Sequence, residues 1–459
     1  MKKRVEIHRR IPALAAMLLL VFSGAALAGQ SGINGITGQT TFNFTAKADH
    51  ISTADGGNYL IWGYADNDDH EGVGSRAQYP APTLIVNQGQ TITINLANEL
   101  AEPVSIIFPG QSGVNATCAN GGTDGSCIDG LLTTEAGGDG DIVSYSFVAS
   151  QPGTYMYHSG THMNLQLEMG LLGALIVRPA MGVNYAYNSA DTYWDREYLF
   201  LLTDMDPRIH DAVEFGNMDQ AEIYLAERFA VYWFINGRAA PDNMAAPYVP
   251  WLPTQPYNVV PLMHPGERLL MREIGGGFDL HPFHHHGNHA DIIARDGRML
   301  SSSGATPDLA ESVFTTKSIP GQTLDLIFTW TGEKLNWDIY GTPADGRPDH
   351  ECIDEDGDGL ADPGNANNAY PYEYCADHGK PFPTVLPEDQ DLAFGGWYGG
   401  SPFLGATGDL PPGEGGLNPN GGFSYMWHSH TEKELTNWDI FPGGMLTMLI
   451  IEPWSVELP

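Results

Sequence analysis

The chain has 459 residues, of which 42% are hydrophobic and only 17% charged, which excludes a disordered polymer and a charge-laced helical array and leaves length for more than one core. Lys+Arg 21 against Asp+Glu 56 gives a formal charge of −35. Phosphate binding needs a basic face, so nucleic acid is excluded as a partner, and an anionic membrane surface repels such a chain.

In chain order, residues 1–28 read as a secretory signal peptide. Lys2, Lys3, Arg4, Arg9 and Arg10 precede an apolar run at 11–22, and Ala26-Leu27-Ala28 is a small-x-small cleavage site. The expectation is export to the periplasm, cell surface or medium. No later apolar stretch is long enough to span a bilayer as a helix. Residues 29–182 carry period-two runs such as TLIVNQGQTITINL and DIVSYSFV, bounded by Gly and Pro, which predict a β-sandwich. A linker is expected at 183–194, a helix at 217–229, and a second sandwich over 195–459. That second unit is swollen by a Gly-, Pro-, Asn- and Asp-rich insertion at about 341–420. The halves echo each other: Tyr155-Met156-Tyr157-His158-Ser159 matches Tyr425-Met426-Trp427-His428-Ser429, each followed by a Gly-rich turn and an apolar strand. The predicted class is all-β, in two similar sandwiches.

Four cysteines, Cys118, Cys127, Cys352 and Cys375, suit an oxidising compartment and allow three pairings. The two local pairs are favoured, because each closes a loop too polar to pack by itself.

Nine of the sixteen histidines fall in three clusters: His158/His162, His281/His284/His285/His286/His289 and His428/His430. In a strand, residues i and i+2 share a face, so His284 with His286, and His428 with His430, form two-pronged claws. His158 and His162 converge only where the chain bends after Tyr157. A lone histidine is usually structural, but this density predicts metal, and neutral imidazole suits copper, zinc, iron and nickel, with copper highest in divalent affinity. His281 and His289 are further candidates, and Glu432, Glu434 and Glu168 are the nearest carboxylates for orienting ligands or delivering protons. Separately, Asp354, Asp356, Asp358 and Asp362, with Gly359 and the carbonyl of Leu360, have the spacing of a calcium loop; Asn365 stands where an EF-hand has Glu. The alternative is an acidic surface loop.

HPFHHHGNH resembles the His-Pro-x-His-x-His-Gly motif of multicopper oxidases. YMYHSGTH is similar to their Tyr-His-Ser-His segment and MWHSHTE to their His-Cys-His segment, with SIIFPGQ in the place of their His-Trp-His-Gly. The resemblance implies Greek-key cupredoxin folds, copper, a small-molecule or metal-ion reductant and oxygen as acceptor. The two-sandwich layout is similar to that of small laccases and copper nitrite reductases, which implies a homotrimer by analogy. The departures are specific. Ser429 replaces the cysteine that binds the blue electron-entry copper, Glu434 replaces a histidine five residues on, Ile106-Ile107-Phe108 replaces one histidine pair, and Gly160 replaces another histidine. Blue copper is therefore not expected. His158, His284, His286, His428 and His430 match the remaining ligands, with His162 as a stand-in, and predict a histidine-only, two-copper site between the sandwiches. A copper-handling protein without turnover and a metal-free scaffold are the competing readings.

Overall fold

The computed structural model describes residues 32–119, 127–137, 140–333, 335–345, 348–381, 423–452, 454 and 456–459. The expected signal peptide, residues 1–28, and much of the insertion lie outside the described residues. Among the described residues strands dominate and form four sheets, which divide by sequence. Residues 36–178 build a four-stranded sheet in the order Ile36–Thr37, Ala81–Asn87, Leu172–Arg178, Gly153–His158. They also build a six-stranded sheet around Thr41–Ser52, Thr91–Asn98 and Ile142–Val148. Residues 196–451 build a seven-stranded sheet centred on Arg196–Met205, Arg268–Gly275 and Thr323–Thr329. Their second sheet has four strands, Leu262–Met263, Leu446–Ile451, Phe423–Ser429 and Phe283–His285.

The alternation in the sequence sets the faces. Along Thr91–Asn98, Ile92, Ile94 and Leu96 are buried, whereas Thr91 is exposed and Thr93 and Asn95 are half-buried. They join Phe42, Phe44 and Tyr157 in the first core, while Phe200, Met271, Phe328 and Trp427 fill the second. The internal echo is structural too. Gly153–His158 pairs antiparallel with Leu172–Arg178, placing His158 opposite Leu172, and Phe423–Ser429 pairs with Leu446–Ile451, placing His428 opposite Leu446.

The expected helix at 217–229 is the shorter Met218–Ala226, capped by the Asn217 side chain accepting from Gln220 N. A second helix, Pro207–Glu214, precedes it; the Asp206 carboxylate accepts from Arg208 N and Pro207 sits in the first turn. Ile209, Ala212 and Ala221 from these helices pack into the core of the first pair of sheets, so the two halves share a core rather than meeting at a clean boundary. The 183–194 segment is not a loose linker: Tyr187 and Trp194 are buried against Leu270, Ile293 and Ile327. Both local disulfides form, with Cα–Cα separations of 5.9 Å for Cys118–Cys127 and 5.5 Å for Cys352–Cys375. Among the described residues no helix is long and apolar enough to cross a membrane.

A buried ionic network joins the halves. Arg272 donates to Glu197 at 2.6 Å, to Thr154 Oγ1 at 2.9 Å and to Asp325 at 3.2 Å, while Arg178 of the first half clasps Glu197 from the other side. Tyr187 and Thr154 both donate to Asp325. Removing one partner from such a network strands a buried charge. Arg272→Ala is expected to lower unfolding stability by roughly 3–5 kcal/mol in urea denaturation; a loss under about 1 kcal/mol would contradict this reading of the junction.

Candidate metal centre

Strand register assembles the two claws. Phe283–His285 pairs antiparallel with Phe423–Ser429, and His284 stands directly opposite His428. The rings of His284 and His286 lie 4.4 Å apart, those of His284 and His430 5.1 Å, and those of His286 and His428 5.0 Å. His286 Nε2 and His428 Nε2 face each other at 3.0 Å. His284 Nδ1 donates to the Phe314 carbonyl at 2.7 Å and His428 Nδ1 to the Ser429 carbonyl at 2.6 Å. A ring whose Nδ1–H is anchored this way keeps its lone pair on Nε2, the arrangement that orients metal-binding histidines. Burial, reinforced by the neighbouring His286, pushes His284 down to about 2, and burial also lowers His428. These imidazoles are neutral and can act as nitrogen ligands without first losing a proton. His430 is exposed, which opens one side of the cluster to solvent.

His158 repeats the anchoring: its Nδ1 donates to the Ser159 carbonyl at 2.8 Å, and Thr161 N donates to Ser159 Oγ at 3.1 Å, as Thr431 N does to Ser429 Oγ at 3.2 Å. It is backbone-paired with Ile107, so an apolar residue occupies the place of the lost histidine pair. Among the described residues no hydrogen bond or ring contact joins His158 to the claws. His162 does not turn toward them; it sits between Glu102 at 3.1 Å and Glu222 at 2.7 Å, one carboxylate on each ring nitrogen. His285 points to the opposite face, against Phe328 and Trp427 in the core, and His289 packs edge-on to Phe314.

His281 has a different role. It is fully buried, with Nδ1 2.9 Å from Glu434 and Nε2 3.1 Å from Asp204. Arg228 clasps Asp204 as well and pairs with Glu168 at 2.7 Å. Burial alone would discharge His281, but hydrogen bonds to Asp204 and Glu434 prevail and raise it to about 9. An imidazolium with both nitrogens on carboxylates has no lone pair for a metal. Glu434 and Glu168 thus serve this ionic chain, and Glu432 is exposed in the short turn Glu432–Leu435. All four cysteines are in disulfides, so no thiolate exists anywhere in the chain. The donor set does not fit blue copper, which needs a thiolate.

Among the described residues, three groups of at least three His, Asp or Glu bring donor atoms within 4.8 Å of one another, and the claws, more widely spread, are not one of them. Asp354, Asp356 and Asp358 of the calcium-like loop form one, all exposed; Asp362 accepts from Glu355 N. Asp66, Asp68 and His70 form another. The third, Asp338, His350, Glu373 and His378, escaped the sequence reading because its members are scattered from just before the insertion into its first part. The one available signal was that His350 and Glu373 each lie two residues from a cysteine of the same disulfide.

A family profile described as multicopper oxidase matches residues 61–181. L-ascorbate oxidase of Cucurbita maxima is 28% identical over 192 residues, 41% of this chain and 30% of that protein. Copper resistance protein A of Escherichia coli is 32% identical over 125 residues, 27% of this chain and 18% of that protein. The matched stretch thus spans less than a third of these relatives' length. The Blue Copper Oxidase structure from Nitrosomonas europaea superposes with a TM-score of 0.50 at 17% identity, covering 92% of this chain and 86% of that one. That similarity shows a mostly β, cupredoxin-like fold of the multicopper-oxidase type.

The His281 chain makes a pH prediction. A histidine raised on folding contributes stability that is complete below its ordinary value of 6.5 and is lost as pH rises through about 9. Unfolding free energy should fall by roughly 3 kcal/mol across that window. In His281→Leu the decline should disappear; an equal slope in both proteins would refute the assignment.

Proposed function

Because this chain belongs to the multicopper-oxidase family of cupredoxin-fold proteins, we propose that it is an exported copper oxidoreductase whose copper is held by histidines alone. The carrying observation is the facing pair His286 Nε2 and His428 Nε2 at 3.0 Å, flanked by the His284 and His430 rings. With His428 Nδ1–H tied to the Ser429 carbonyl, His286 Nε2–H donates to the His428 Nε2 lone pair in the metal-free protein, and a bound cation would take the place of that hydrogen bond. No three of the claw nitrogens lie within 4.8 Å of one another, so they do not form one compact shell as they stand, and the two-ion reading rests on the number of imidazoles gathered here. His284, His286, His428 and His430 would hold the ions, with His158 as a fifth nitrogen brought up from the other half.

Copper bound there supplies one-electron oxidation and reduction. The chain's own residues do the rest. Buried neutral rings keep the site free of competing protons, the Phe314 and Ser429 carbonyls hold two rings in orientation, and exposed His430 marks the side on which a small reductant approaches. With Glu434 committed to His281, Glu432 is the remaining carboxylate for proton delivery. Without a thiolate there is no separate electron-entry copper, so the reductant must reach the histidine centre itself. Export is supported by the basic-apolar leader and by the two disulfides. In the insertion, the convergence of Asp354, Asp356 and Asp358 supports a structural calcium ion, with Asp362 and the Leu360 carbonyl completing the loop.

Protein loaded with Cu(II) and desalted is expected to retain about two coppers per chain and to lack intense blue absorption. It should consume oxygen with a phenol, Cu(I), Fe(II) or Mn(II), and His428→Ala should lower the rate at least about tenfold. Retained copper with no uptake above the variant would make the protein a copper binder, and no retained copper would leave a scaffold. Calcium is expected to raise the melting temperature of wild type but not of Asp354→Asn/Asp358→Asn; an equal response would remove the calcium loop.

A further inference from the structure

The insertion, with the residue Asp338 just before it, contains a donor set that the copper reading does not use. Asp338, His350 and Glu373 are buried or nearly so at their side chains, and His378 is 31% exposed there. His350 Nε2 lies 3.4 Å from Asp338 Oδ2 and 3.2 Å from Glu373 Oε2, and His378 Nδ1 lies 3.7 Å from Asp338 Oδ2 and 2.9 Å from Glu373 Oε1. Four donors about 2.0 Å from a tetrahedral ion stand about 3.3 Å from one another. The separations here bracket that value. Each imidazole nitrogen meets both carboxylates, so the four side chains converge on one point instead of forming two separate pairs.

Three further observations point to an ion. Glu373 Oε2 is buried and makes no hydrogen bond, although His350 Nε2 lies 3.2 Å away. The carboxylate of Asp338 is held from outside: Tyr340 N donates to Oδ1 and Gly379 N to Oδ2, both at 3.0 Å. Such outer bonds orient a ligand. The Cys352–Cys375 disulfide lies two residues from His350 and two from Glu373, which fixes the two chain segments that carry them at a Cα–Cα distance of 5.5 Å. Tyr340 and Tyr370 stack at 4.2 Å, and Tyr370 meets the His350 ring edge-on at 4.9 Å, walling one side.

We propose that Asp338, His350, Glu373 and His378 form a transition-metal site of the structural zinc class that pins the insertion beside its disulfide. Two imidazoles exclude calcium, which takes oxygen ligands. Two nitrogens and two carboxylates, all from protein, suit a four-coordinate Zn²⁺, and the two negative charges balance it. Partly exposed His378 supplies the route of entry. The site is separate from the claws and does not depend on their function.

Full-length wild type and His378→Ala are each loaded with Zn(II), passed over gel filtration and analysed for metal. Zinc taken up by the claws is common to both, so the difference isolates this site. The variant should carry about one zinc fewer per chain. Co(II)-loaded wild type should show tetrahedral ligand-field bands that weaken in the variant. Equal zinc in both proteins overturns the proposal. Should His378→Ala misfold, anomalous diffraction at the zinc edge from wild-type crystals decides instead: a peak among the four side chains supports the site, and no peak there overturns it.

Discussion

His284 stands opposite His428 in a short antiparallel ladder, and the histidine centre exists because of that register. With a side-chain period of two, the claw imidazoles fall on one face, while Phe283, His285 and Trp427 fall on the other, where Phe200 and Phe328 receive them. A slip of one residue would send the claws into the aromatic core and bring His285 and Trp427 out. The apolar side therefore enforces the polar one. The first half uses the same device, with His158 across from Leu172 as His428 is across from Leu446.

Within three residues, the chain keeps buried histidines in opposite protonation states. His284 is held down at about 2 and His281 up at about 9. Burial pushes both toward neutrality, so the difference lies in their partners. His284 faces carbonyl oxygen and other imidazoles, whereas His281 is gripped by two carboxylates that Arg228 and the backbone hold in place. A neutral ring with its Nδ1–H tied to a carbonyl keeps a lone pair on Nε2; an imidazolium between Asp204 and Glu434 is a structural cation. Ser429 brings no thiolate, and Glu434 makes His281 part of a salt-bridge chain that reaches Glu168 on the other half.

The strands, the two claws, the local disulfides and the internal echo were all legible, because each rests on local periodicity or near neighbours. The shared core was less so. Helix Pro207–Glu214 carried its own start signal in Asp206-Pro207, but nothing nearby says that Ile209 and Ala212 cap the first pair of sheets. His162 and His281 were read as copper candidates because the residues that occupy their nitrogens, Glu102, Glu222, Asp204 and Glu434, lie far off in sequence. The Asp338–His378 group was missed for the same reason: loop residues have no period, and only the fold brings them together.

Copper K-edge X-ray absorption on the loaded protein tests the central claim most directly. A first shell of nitrogen and oxygen with the outer-shell pattern of imidazole, and no sulfur, is what histidine claws without a thiolate require. A shell of oxygen scatterers without imidazole, or the absence of any tightly held copper, would contradict it.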